Sequence, residues 1–127
     1  MAERATTPTL GSQFVAALAA KDRERLGTLL HPQIDFRGLT PNRVWEAGDA
    51  DAVLEVVLGN WFEPSDEFDE LALVERDAFA DREQLRFRFN GHNADGPFVV
   101  EQQAYLSERD GQIGWMRVVC SGFRSPG

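Results

Sequence analysis

Cysteine occurs once in the 127 residues, at Cys120, which excludes a disulfide within the chain and gives no hint of an oxidising compartment. Positive charge is also scarce. Lys and Arg number 13 against 21 Asp and Glu, a formal net charge of −8. Such a chain repels phosphate backbones and anionic lipid surfaces, so neither nucleic acid nor a membrane is an expected partner. No apolar run approaches the roughly 20 residues that cross a bilayer, and MAERATTPTLGS lacks the apolar core of a signal peptide. A cytoplasmic protein is the expectation. Histidine occurs only at His31 and His92, and neither stands in a ligand-like spacing with Cys120 or a carboxylate, so no metal site is expected. There is no phosphate loop or dinucleotide fingerprint either, and hence no expected cofactor. The acids between Glu46 and Glu83 lack calcium-loop spacing and read as a solvated rim.

What is present is an ordinary globular composition, 43% hydrophobic and 27% charged, at a length that suits one domain. Residues 1–11 read as a polar lead-in and 12–127 as a single domain. From Ser12, a plausible N-cap, Phe14, Val15 and Leu18 recur with helical period. Asp22 caps a second short helix carrying Leu26, Leu29 and Leu30, ended by His31-Pro32, where the imidazole would favour the helix dipole. QIDFRGL alternates as a strand, and TPNRVWEAGD reads as a loop. A third helix, capped near Asp49 or Asp51, presents Leu54, Val57 and Trp61 as one stripe. Strand patterns follow in FDELALVERDAF, QLRFRFN, FVVEQQAYLS and IGWMRVVCSGF, the last two joined by an Asp-Gly hairpin signal. Helices first and an antiparallel meander afterwards describe an α+β domain with helices laid on one sheet face.

The order of elements, with FVAALAAKDRERLGTLLHPQIDFRGLTP near the start and ERDGQIGWMRVV as a final hairpin, resembles the nuclear-transport-factor-2-like (NTF2-like) superfamily and its SnoaL-like members. The resemblance covers nearly the whole chain after Ser12. It implies a cystatin-like cone, a curved antiparallel sheet wrapped on three N-terminal helices, around an apolar pocket for a hydrophobic small molecule. It also implies a homodimer formed through the sheet. The isomerase apparatus of such folds, an Asp base with a Tyr and a protonated Asp as donors, falls here on about Gly38, Phe14 and Gln103, none of which can perform those roles. The acid of SnoaL-like cyclases falls on about Ser121. For the Asp-Arg-Asp set of epoxide hydrolases, Asp35 and Arg37 are present without a second Asp. The resemblance places pocket residues at Gln103, Met116 and Cys120.

The centre of PFVVEQQAYL raises the question of which of Glu101, Gln102 and Gln103 faces inward, and two registers answer it differently. If facing pairs sum to 189, Arg88 opposes Glu101 and Arg86 opposes Gln103 on a charged face. A one-residue slip puts Glu101, Gln103 and Tyr105 with Leu85, Phe87 and Phe89 on the apolar side. The second hairpin pairs Gln102 with Val118 or Gln103 with Met116, according to its loop length. The resemblance favours the inward set, so the expected pocket comprises Phe14, Trp45, Trp61, Phe87, Gln103, Tyr105, Met116 and Cys120. Glu101, buried without an arginine, would be a general acid or base for isomerase, cyclase, dehydratase or hydrolase chemistry; paired with Arg88 or Arg117 it would be structural. Both an enzyme of this kind and a non-catalytic binding or dimerisation module remain open.

Overall fold

The computed structural model describes residues 9–41, 43–62, 66–79 and 81–122. Residues 1–8 of the expected lead-in and Phe123 at the end of the expected last strand lie outside them.

Helix α1 spans Leu10–Ala19 and buries Phe14, Val15, Ala17 and Leu18. Its N-cap is Thr9 rather than Ser12, since the Thr9 hydroxyl accepts from the Ser12 N–H at 3.1 Å. The earlier start has a tertiary cause: the Glu83 carboxylate accepts from the Gly11 N–H at 3.0 Å and from the Thr9 hydroxyl at 2.5 Å. An acid on a distant strand thus completes the helix N-terminus. Helix α2, Arg23–Leu29, is capped by Asp22 as expected. Helix α3, Ala50–Leu54, is capped by Asp49, whose carboxylate accepts from the Ala52 N–H at 2.7 Å. It runs into a π-helical segment, Glu55–Asn60, that hands over to buried Trp61 and Phe62. None of the helices among the described residues is long and apolar enough to cross a membrane.

Six strands, β1 (Leu30–Thr40), β2 (Arg43–Ala47), β3 (Glu67–Phe79), β4 (Arg82–Asn93), β5 (Gly96–Arg109) and β6 (Gln112–Cys120), form one sheet in the order β2-β1-β6-β5-β4-β3. The meander β3 to β6 is antiparallel, as expected. The sheet as a whole is mixed, because β1 lies parallel to β6. Alternation along a strand reports which face is buried, not which distant strand lies beside it, so this pairing had no local signal. The loop expected at TPNRVWEAGD contains edge strand β2, paired from Phe36↔Ala47 to Thr40↔Arg43. His31 also departs from expectation. It belongs to β1, where its Nδ1 accepts from the Gln33 N–H at 2.9 Å and its Nε2 lies 3.3 Å from Asp110.

Two register shifts in β3, at Phe68/Glu70 and Leu73/Glu75, bend the outer end of the sheet. Beside the first, a Cβ on Gly91 would lie 2.1 Å from the Glu67 carbonyl oxygen, so glycine is required there. The concave side of the bent sheet packs on the helices around Phe14, Leu18, Leu26, Val53 and Val57.

Candidate functional site

The β4–β5 hairpin pairs Arg88 with Glu101, Phe87 with Gln102 and Arg86 with Gln103. This is the charged-face register, and it corrects the inward placement of Gln103 and Tyr105. Opposed Arg and Glu, and the burial of Leu85, Phe87 and Phe89 on the other side, outweigh the single polar side chain that must then turn inward. That side chain is Gln102, which is 2% exposed. The β5–β6 hairpin follows neither expected pairing. Asp110 and Gly111 form a two-residue turn with φ of 54° and 83°, the left-handed geometry of a type I′ connection. A bulge at Ser107/Glu108, which leaves Gly114 unpaired, then sets Gln102 opposite Cys120 and Gln103 opposite Val119.

These registers define rows across the concave face. Phe87, Gln102 and Cys120 form one row. Leu85, Ala104, Val118, Gly38 and Trp45 form the next, and Leu106, Met116, Phe36 and Ala47 a third. Trp61, which follows the π-helical segment, covers Gly38. A Cβ at position 38 would stand 2.6 Å from Trp61 Cζ2, so only glycine leaves room for the indole. Phe36 meets the same ring at a centroid distance of 6.2 Å. Beyond Phe87 the interior is filled by phenylalanines: Phe68 stacks on Phe89 at 4.5 Å and meets Phe62 edge-on at 4.9 Å.

Of the expected pocket set, Phe14, Trp61, Phe87, Met116 and Cys120 are buried on this interior. Trp45 is half-buried on the same face. Its indole N–H donates to Thr40 Oγ1 at 2.9 Å, and the Arg43 guanidinium lies over its ring at 3.8 Å. Gln103 and Tyr105 lie on the outer face, where the Gln103 amide donates to the Tyr105 oxygen at 2.7 Å. Glu101 is there too, paired with Arg88 at 3.3 Å. Ser121 Oγ accepts from the Glu101 N–H at 2.9 Å, closing the strand ends. Asp35 and Arg37 also face outward, paired with Arg117 and Glu46. The expectations left out Gln102. Its signal was the parity relation with Arg86 and Arg88 across the Asn93–Gly96 turn.

The chemistry of the interior is that of hydrogen bonding. Gln102 Nε2 donates to the Cys120 sulfur at 3.4 Å, while Gln102 Oε1 and Trp61 Nε1, both buried, have no hydrogen-bond partner. Each such atom costs about 1–3 kcal/mol when left unpaired. Among the described residues no group of three or more His, Cys, Asp or Glu is placed to hold a metal ion. A shallow open depression of about 340 Å³ lies elsewhere, between the start of α1 and the β3–β4 turn, lined by Thr9, Gln13, Asp81 and Glu83 among others. His92 stands near the end of β4, with Nδ1 2.8 Å from Asp69 and Nε2 3.5 Å from Glu67. The hydrogen bond that the imidazole donates to Asp69, followed by the charge of that carboxylate, raises the His92 pKa above the ordinary 6.5.

No protein-family model matches the sequence, and no curated protein does. Solved structures do match. A protein from Rhodopseudomonas palustris provisionally named an isomerase has a TM-score of 0.74 at 19% identity, over 92% of this chain and 93% of its own. A protein with a ketosteroid isomerase-like fold from Catenulispora acidiphila, in complex with trimethylamine, has a TM-score of 0.72 at 17% identity, over 91% and 88%. An LEH-like epoxide hydrolase from M. tuberculosis has a TM-score of 0.67 at 11% identity, over 88% and 80%. With helices packed on a bent mixed sheet and this likeness along nearly its whole length, the chain has the nuclear-transport-factor-2-like fold, the α+β architecture of ketosteroid isomerase-like proteins.

Proposed function

We propose that the protein binds a hydrophobic small molecule against the concave face of its sheet. The observation that carries the reading is Gln102: a side chain 2% exposed, among apolar rows, whose amide oxygen has no partner. Interiors of folded proteins rarely leave such an atom unpaired, and a ligand is one way to complete it. Solved structures that share the fold carry isomerase and epoxide hydrolase names, which supports a small-molecule reading. The described concave rows hold no carboxylate, and Glu101 is on the opposite face with Arg88. Binding without acid-base turnover is therefore the reading we prefer to an isomerase, cyclase or dehydratase.

Thermal-shift screening with neutral ketones, phenols and epoxides tests it. A bound compound should raise the melting temperature in proportion to the logarithm of its concentration above Kd. A complete panel without any shift, and without chemical-shift changes at Gln102 or Val118, would argue against a ligand at this face.

A second role is favoured by a separate observation. Val44, Leu39 and Val119 are cross-strand neighbours on the outer face and are 60%, 47% and 48% exposed. With Arg86, Arg88, Glu101 and Asp35 on the same face, the surface carries both signs of charge around an apolar strip. That is the composition of a self-complementary two-fold contact. We propose that a second copy of the chain covers it.

A further inference from the structure

We infer that the free edge of β3 is a docking site for an extended, basic segment of a partner protein, which adds to the sheet as an antiparallel strand beside residues 75–79. The site lies at the opposite end of the sheet from the strip of Val44, Leu39 and Val119 and does not depend on the concave face.

β3 ends the sheet and packs chiefly on β4, so one row of its backbone N–H and C=O groups has no strand beside it. Ala78 shows where that row points. Its N–H donates to Asp77 Oδ1 at 2.8 Å, a local substitute that a donor inside a ladder does not need. By the two-residue period of an antiparallel strand, the N–H and C=O of Arg76 face the same way. A strand on a packed sheet ordinarily buries one face. None of the β3 side chains that are described is buried, and residues 75–79 are exposed in succession. The register shift at Leu73/Glu75 marks where this stretch begins. From there to Phe79 the pairing with β4 is regular, an uninterrupted edge about 17 Å long.

Charge selects the occupant. β3 carries Glu67, Asp69, Glu70, Glu75 and Asp77 against Arg76 alone. Arg76 bonds Glu83 at 2.8 Å, Glu70 and Glu75 accept from the neutral amides of Asn90 and Gln84, and Glu67 and Asp69 share His92. No Lys or Arg among the described residues pairs with any of these five acids. Like charge therefore opposes the β3 edge of a second copy and favours Lys or Arg across the gap. Glu75, Asp77 and Phe79 share the outer face of the sheet, and Phe79 is 79% exposed. An antiparallel partner strand meets them in reverse order. It presents an aromatic or aliphatic residue opposite Phe79, and then Lys or Arg at alternate positions, opposite Asp77 and Glu75.

NMR titration with the blocked peptide Thr-Phe-Thr-Lys-Thr-Lys-Thr, and with its counterpart carrying Glu in place of both Lys, tests the inference. The wild type should favour the basic peptide by roughly fivefold or more at low ionic strength. Amide exchange at Arg76 and Ala78 should slow as it binds. Substituting both Glu75→Lys and Asp77→Lys, which touches exposed side chains only, should reverse the preference toward the acidic peptide. Backbone methylation separates strand addition from charge attraction. The two threonines between Phe and the second Lys oppose Ala78 and Arg76 and turn their N–H groups to β3, so N-methylation there should abolish binding, whereas N-methylation of the two lysines should be tolerated. Equal affinity for the two methylated forms would overturn the inference. So would the absence of binding at millimolar basic peptide, the result expected if acids and bulges only guard the edge. Slowed exchange at Arg76 and Ala78 on raising the protein concentration alone would assign the edge to a second copy and overturn the basic partner.

Discussion

Gly38 and Gln102 each depart from what their strands would otherwise carry. At Gly38 the reason is steric: any side chain would begin 2.6 Å from Trp61 Cζ2. Gly38→Ala should therefore displace the indole and lower stability by about 1–3 kcal/mol in urea denaturation, as overpacking in cores does. Near-UV circular dichroism should change with it. Gln102 departs in polarity. Without ligand its unpaired oxygen is a cost, so Gln102→Leu should leave stability unchanged or raise it by about 1 kcal/mol. A loss of several kcal/mol would mean that the amide oxygen has a partner in the free protein. These residues show how little of the site local pattern could reveal. Three consecutive polar side chains in PFVVEQQAYL made a turn inward certain for at least one of them, but their parity depended on the length of a turn several residues away.

At the scale of elements, the joints between them are held by charged groups from distant parts of the chain. Glu83 completes the N-terminus of α1 through Thr9 and Gly11 while also bonding Arg76 Nε at 2.8 Å. Its side chain is only 12% exposed, so solvent screens it less than a surface carboxylate. Glu83→Gln should cost about 1–2 kcal/mol of stability and speed amide exchange in the first turn of α1. Substitution of Arg76, the more exposed partner, should cost much less. His92 ties β4 to β3 through Asp69 and Glu67. Because its folded pKa is raised, its contribution is fully present below the unfolded value near 6.5 and is lost as pH rises through the folded value. His92→Asn should remove that pH-dependent part, so wild-type and variant melting temperatures differ at mildly acidic pH and converge above neutrality. The helix and strand identities of these elements were legible from Phe14, Leu18 and the alternating LRFRF. Their ends were not, since the Thr9 cap depends on a carboxylate 74 residues away.

At the scale of the molecule, a net charge of −8 opposes association, while the strip of Val44, Leu39 and Val119 favours it. If a second copy covers that strip, sedimentation should show a dimer that tightens as salt screens the like charge. Val119→Arg should return it to monomer without changing the fold. A wild-type monomer at all concentrations and salts would remove the dimer proposal.

Composition and periodicity by themselves determined the α+β class, the sequence of helices and meander strands, and the alternation of Leu85, Phe87 and Phe89 against Arg86 and Arg88. These follow from local backbone geometry, which repeats within a few residues. Tertiary structure alone decided that β1 lies parallel to β6, that β2 exists, and that a bulge beside Gly114 brings Gln102 against Cys120. Those outcomes depend on strands far apart in the chain and on one added residue in a ladder, and neither leaves a mark in the pattern of its neighbours.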